Sequence, residues 1–220
     1  MVQLKKVVPP GSADIVVKLE YFNPTGSYKD RMALAMIEEA EKRGALRPGM
    51  RVVEYTGGST GSSVAMVCAV KGYRFEPLSS DAFAREKTRT MCAFGAAVTL
   101  LESEGGKITP GLFDRFKQEI ARRAAEPDTF YTDQMNNRDS ILGYRKIGEE
   151  LLEQLNGRIS AFALALARRE CCWACPARYA SAVAGRASLR WSRPGRQCSR
   201  KEFLDRITSK GLALDSGLRC

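Results

Sequence analysis

The chain has 220 residues, 35 lysines and arginines against 25 acids, no histidine, and a formal net charge of +10. Without histidine, Ser-His-Asp and Cys-His catalytic arrangements are excluded, and no ligand pattern for a metal is expected. Seven cysteines, an odd number, suit reduced thiols rather than a disulfide framework, and no secretory signal or membrane span is read at the N-terminus, so a soluble, cytoplasmic protein is expected.

Strands are expected at Ile15 to Leu19, Arg51 to Tyr55, Phe75 to Ser79, Ala97 to Leu101, Phe130 to Thr132 and Ile159 to Phe162. Helical stretches fall between them, which favours a parallel sheet covered on both faces. Leu112, Phe116, Ile120 and Ala124 recur at four-residue steps, and Ile141, Tyr144, Ile147, Leu151 and Leu155 at three or four. Both stripes are read as core rather than as ligand contacts.

Two segments carry chemistry. The first is Asn23-Pro24-Thr25-Gly26-Ser27-Tyr28-Lys29-Asp30-Arg31, a tight turn with Ser27 as candidate N-cap and Asp30 three residues on, so that Lys29 falls in the first turn of a helix. There the amine can face a cleft, and the positive end of the helix dipole loosens its proton, as an amine nucleophile requires. Taken alone, such a lysine is more often a solvated surface charge. The second segment is the apolar strand Val52-Val53-Glu54-Tyr55, followed by Thr56-Gly57-Gly58-Ser59-Thr60-Gly61-Ser62-Ser63 and an apolar helical run. Backbone N–H groups and short hydroxyls at a helix N-terminus receive an anion such as a carboxylate or phosphate. An ordinary tight turn is the competing reading. Three glycines in five positions and a crowd of hydroxyls favour the anion. It is not a nucleotide-binding P-loop, since Ser62, not lysine, follows Gly61.

Together with Asp133-Gln134-Met135-Asn136-Asn137, these motifs resemble the cysteine synthase and cystathionine beta-synthase family over roughly Val16 to Phe162. The resemblance implies an α/β protein with the tryptophan synthase beta-like fold of a fold-type II pyridoxal-phosphate enzyme, its parallel sheets flanked by helices and its large domain incomplete. It implies pyridoxal 5'-phosphate as cofactor, with Lys29 as Schiff-base lysine, Ser59 also near the cofactor, and Thr56, Gly57, Gly58, Ser59, Thr60 and Gln134 binding the carboxylate of a small amino-acid substrate. The implied reaction is β-replacement: cysteine or a thioether made from an O-activated serine and sulfide or thiol by way of an aminoacrylate. Ser59 stands where the family commonly has asparagine, which leaves substrate preference open.

The same resemblance divides the chain into residues 1–34 as the start of a large cofactor domain, 35–138 as a small mobile domain, and 139–162 as the return to the large one. Beyond that the character changes. Residues 1–162 carry 23 basic and 21 acidic side chains, whereas 163–220 carry 12 and 4, with five of the seven cysteines and both tryptophans. No Gly/Thr-rich loop follows Phe162 where the family grips its cofactor phosphate. This composition suggests out-of-frame translation and a poorly ordered tail, which resequencing the locus would decide. Cys171, Cys172 and Cys175 have no second pair at zinc-finger spacing, and the scattered arginines between Ala163 and Arg200, with no lysine among them, do not make a nucleic-acid surface. A catalytically silent fragment, acting if at all as a binding or interaction protein, is the alternative to an enzyme. A homodimer is doubtful in such a shortened form.

Overall fold

The computed structural model describes residues 1–162; every expectation placed on 163–220, from the tail's disorder to its cysteines, lies outside the described residues. The chain divides into two compact units, one of Met1–Leu19 with the chain from Ile147 onward, the other of Glu20–Lys146.

In the first unit, β1 (Val2–Leu4) pairs antiparallel with β2 (Ile15–Val17). The β1 strand was not foreseen, and the antiparallel pair departs from the parallel arrangement expected throughout. A second correction concerns Ile159 to Phe162, which takes no strand form. A strand forms only where a neighbouring strand accepts its backbone hydrogen bonds, and here the Ile159 N–H goes to Gly157 O, two residues back, at 3.1 Å. Lys18 forms an ion pair with Glu150 at 2.7 Å.

The second unit is a three-layer α/β body. A short 3-10 turn at Glu20–Phe22 leads to α1 (Lys29–Lys42), then β3 (Arg51–Tyr55), α2 (Ser59–Lys71), β4 (Arg74–Ser80), α3 (Arg85–Ala93), β5 (Thr99–Leu101), α4 (Pro110–Ala124), β6 (Thr129–Tyr131) and the start of α5 (Ser140–Gln154), whose residues from Ile147 on belong to the first unit. The four strands pair in parallel in the order β5-β4-β3-β6. Alternating hydrophobic strands and amphipathic helices produce this layering because each parallel connection lays a helix back across the sheet. Residues Val52 to Tyr55 are all buried, as a strand covered on both faces must be. On one side Val53, Tyr55 and Leu78 pack with Leu112, Phe116 and Ile120, the stripe of α4 expected from its four-residue spacing. Thr109 caps α4 by accepting the Leu112 N–H at 3.2 Å, with Pro110 at the first helical position.

The strand order has a consequence that no local pattern reveals. From β3 the chain moves to β4 and β5 and then returns to the other side of β3 as β6. The order therefore switches direction between β3 and β6, and in open α/β sheets ligands bind in the crevice outside the carboxyl ends of the strands at such a switch point. The loop 56–58 leaves β3 there, and Thr132 to Gln134 leave β6 beside it.

Candidate active site

The turn ahead of α1 is built from side-chain bonds. Gly26, at φ +73°, donates its N–H to Asn23 O at 2.8 Å, a left-handed position that glycine takes without strain. Asn23 Nδ2 donates to Glu20, whose carboxylate also receives Arg31 at 2.8 Å. Ser27 Oγ accepts the Lys29 N–H at 3.1 Å, so it caps the helix although the first helical residue lies one place later than a simple N-cap would put it. Asp30 does not bond back to Ser27 as a capping box would. Its buried carboxylate accepts from Thr25 N at 2.9 Å, from Thr25 Oγ1, and from Ser63 Oγ at 2.6 Å. The third of these bonds matters most, because Ser63 lies on α2. It ties the start of α1, and hence Lys29, to the helix that opens with the glycine loop.

Lys29 is half-buried. Its Nζ donates to the phenol oxygen of Tyr144 at 2.7 Å and lies 4.8 Å and 5.3 Å from the ring centroids of Tyr28 and Tyr144. Tyr144 belongs to the stripe of α5 read as core. It is buried in the core as that reading expects, and its hydroxyl in addition meets the Lys29 amine. The spacing showed the buried face correctly, and only the phenol at position 144, rather than another apolar residue, hinted at more. Tyr144 reaches Lys29 because Gly143 lets α5 close on α1: a Cβ there would stand 2.2 Å from the Arg31 carbonyl oxygen.

In the loop the three glycines have different reasons to be glycine. A Cβ at Gly57 would overlap the Phe83 ring at 2.4 Å, and one at Gly61 would meet Met91 Sδ at 2.4 Å and the Thr56 methyl at 2.5 Å. These two serve packing beneath the loop rather than an anion above it. Gly58 alone opens on space, with nothing within 4 Å of a Cβ. Thr56, buried, accepts from Gly58 N at 3.3 Å and Gly61 N at 3.1 Å, so its oxygen shapes the loop and caps α2 from outside. Ser59 and Thr60 occupy the first two positions of α2, where N–H groups have no carbonyl one turn back. Among the described residues the Ser62 hydroxyl, buried, finds no hydrogen-bond partner.

Gln134 is buried on the other wall. Its side-chain amide donates to Tyr55 O at 3.0 Å and to Glu54 Oε1 at 3.4 Å. Glu54 is a residue the sequence reading passed over as part of an apolar strand. Fully buried, it accepts from Thr132 Oγ1 at 2.5 Å, Gln134 N at 2.9 Å and Tyr55 N at 3.0 Å, tying the ends of β3 and β6 together at the switch point. Burial pushes its carboxyl up to about 7, against the pull of those donors. Burial, with Glu54 second, also holds the Tyr131 phenol well above its ordinary range. Burial likewise pushes the Cys68 thiol up to about 12, an inert position on α2. No group of three or more potential metal-ligating side chains occurs among the described residues.

The sequence profile of the pyridoxal-phosphate dependent enzymes matches residues 1–174. The chain belongs to that family. It is 40% identical over 163 residues to cysteine synthase B of Escherichia coli, covering 74% of this chain and 52% of that protein. It is also similar to the crystal structure of cysteine synthase from Entamoeba histolytica, with a TM-score of 0.74 and 30% identity, over 84% of this chain and 56% of that one. A hydrogen sulfide-producing enzyme from Fusobacterium nucleatum matches with the same TM-score at 28% identity, over 83% and 58%. The chain thus spans about half the length of the curated relatives it matches. These likenesses agree with a fold-type II pyridoxal-phosphate enzyme covering only part of the whole fold, and the family depends on pyridoxal phosphate. The residues present fit the reactive end of that cofactor and its amino acid: a half-buried amine between two aromatic rings, an open cradle at Gly58, and helix N–H groups beside a buried hydroxyl. Among the described residues no helix is long and apolar enough to cross a membrane.

Proposed function

We propose that this chain carries the lysine and carboxylate half of an enzyme of the β-replacement type, one that forms cysteine or a thioether from an O-activated serine and sulfide or a thiol. The observation that carries the reading is the hydrogen bond from Ser63 to Asp30, which links the residue next to Lys29 to the helix that follows the glycine loop. In this reading Lys29 anchors pyridoxal phosphate through its amine. The N–H groups of Gly57, Ser59 and Thr60 and the Thr56 hydroxyl receive the substrate carboxylate, charge-assisted bonds that orient the α-carbon, and Gly58 and Gln134 join them when their bonds to Thr56 and to Tyr55 and Glu54 give way. When bound, the cofactor supplies an electron sink for negative charge at that carbon. The Lys29 amine would also stand as the base for the α-proton of the bound amino acid. The low local dielectric around the two tyrosine rings strengthens each of these contacts.

The domain division at 35 and 138, a mobile small domain and a cytoplasmic location belong to the same proposal. The test is spectroscopic. The full-length chain, purified and given pyridoxal phosphate, is expected to show the near-visible absorbance of a lysine-bound cofactor, and Lys29→Ala to lose it. Wild-type protein that stays colourless would sink the reading and leave the silent binding protein in its place.

A further inference from the structure

The buried Glu54 carboxyl takes no part in the reaction as read above, yet donors meet both of its oxygens. Oε2 accepts from Thr132 Oγ1 at 2.5 Å and Gln134 N at 2.9 Å, while Oε1 accepts from Tyr55 N at 3.0 Å and Gln134 Nε2 at 3.4 Å. Three of these bonds fasten the ends of β3 and β6 to each other. The fourth, the longest, holds the Gln134 amide, whose other bond goes to Tyr55 O at 3.0 Å. A bond to an ionised acceptor is about twice as strong as one to a neutral acceptor, so a proton on Glu54 loosens that tether. The proton also has a place to point, because the Thr132 oxygen carries lone pairs and can accept from an acid as well as donate to a carboxylate.

We propose that Glu54 is a proton-linked positioning residue for Gln134: as a carboxylate it ties the amide back to the end of β3, and as a neutral acid it lets the amide turn to the carboxylate of a bound amino acid. The inference rests on the reading of Gln134 as a carboxylate-binding residue and names what releases it. Burial raises the Glu54 carboxyl to about 7, so both forms are populated near neutral pH and the binding of an amino acid shifts their ratio.

The elements packed against β3 support this assignment. Val53 and Tyr55 pack on α4, so Glu54 lies on the other face of the strand. The charged side chains of α4 bond to one another or to Glu102 and Thr99. On α2 there is no charge before Lys71, which pairs with Glu41. Pro77 of β4 stands beside Glu54, and Glu76 pairs with Arg51 at the far end of β3. On β6 the Tyr131 phenol is held neutral, and the Asp133 charge just beyond raises the Glu54 carboxyl further.

The test uses the full-length chain without cofactor, carrying isotope-labelled glutamine, with the Gln134 side-chain amide identified by NMR through its loss in Gln134→Met. In the wild type that signal is expected to shift with pH around a midpoint of about 7, and in Glu54→Gln to stay in place. Titrated with L-serine, the wild type is expected to bind about tenfold more tightly in mildly acidic than in mildly alkaline solution, since one proton is taken up with the amino acid. Gln134→Met is expected to bind more weakly and without that dependence. A Glu54 that only braced the sheet would leave the ratio in Gln134→Met the same as in the wild type, which would overturn the proposal. A wild-type Gln134 signal that ignores pH, or equal serine affinities at both ends of the range, would do so as well, whether or not Glu54→Gln folds. A signal that titrates in a chain that binds no amino acid is a separate outcome: it removes Gln134 from the carboxylate site and leaves the proton-linked tether standing.

Discussion

At the start of α1, Ser27 takes the Lys29 N–H and the buried Asp30 carboxylate takes three donors from Thr25 and Ser63, while the N-cap of α2 is Gly58, with no side chain of its own and open space where one would stand. Both starts are turns rich in glycine and hydroxyls, and both sit at the mouth of the same unit. Their bonds run in opposite directions. Around α1 the polar groups are spent on one another and hold the lysine in place. Around α2, Thr56 secures Gly58 and Gly61, and the N–H groups of Ser59 and Thr60, at the first two helical positions, have no carbonyl one turn back. In the proposed reading one helix start is a mount and the other a receptor, and the difference is decided by where each hydrogen-bond partner lies rather than by composition.

That contrast can be broken most forcefully at the contact beneath the lysine. Gly143→Ala places a methyl 2.2 Å from the Arg31 carbonyl oxygen, where backbone must move; a loss of about 3 kcal/mol in urea unfolding is expected, with Tyr144 drawn away from Lys29. Wild-type stability in this variant would mean that α5 does not approach α1 so closely.

A change of similar size comes from pH at the switch point. Glu54 has its carboxyl raised from an ordinary 4.5 to about 7 in the folded protein. Its protonated form is therefore favoured by folding, and stability from this group is fully present below the unfolded value and is lost as pH rises through about 7. The advantage of wild type over Glu54→Gln in urea midpoints is expected to shrink by about 3 kcal/mol between mildly acidic and mildly alkaline solution. An advantage that grows with pH would reverse the sign and refute the assignment.

The mount itself is tested by Asp30→Asn. The substitution keeps the shape but weakens an acceptor that serves three donors, and a loss of about 2 kcal/mol is expected, read by thermal or chemical unfolding. The receptor gives the smallest effect on stability and the sharpest contrast. Gly58→Ala meets nothing within 4 Å and its φ of −164° suits any residue, so stability should stay within about 0.5 kcal/mol of wild type. Titration with an amino-acid substrate should nevertheless show weakened binding, because the methyl fills the one open glycine of the loop. Unchanged ligand binding in Gly58→Ala would move the carboxylate site away from this loop.

Much of this could be read along the chain. Alternation of apolar strands with amphipathic helices dictates a layered α/β body, because each segment's period says which face it must bury, and the α4 stripe of Leu112, Phe116 and Ile120 lies buried where its spacing put it. The two motifs were also legible, since a turn, a cap and a helix start are local events governed by neighbouring residues: Ser27 does accept from Lys29. Bonds between residues distant in sequence were not legible. Glu54 looked like one more position in an apolar strand until β6 supplied Thr132 and Gln134 as its donors. Tyr144 looked like one more position in an apolar stripe until Gly143 let its hydroxyl reach Lys29 across 115 positions. The glycines of the loop looked alike until Phe83 and Met91 closed beneath two of them. Sequence alone determines which segments form and which side of each is buried, because period and capping act within a turn or two. Strand order, and with it the crevice between β3 and β6 and the partners of every buried polar group there, is decided only by the tertiary fold, because a hydrogen bond between remote residues exists only once the chain has closed.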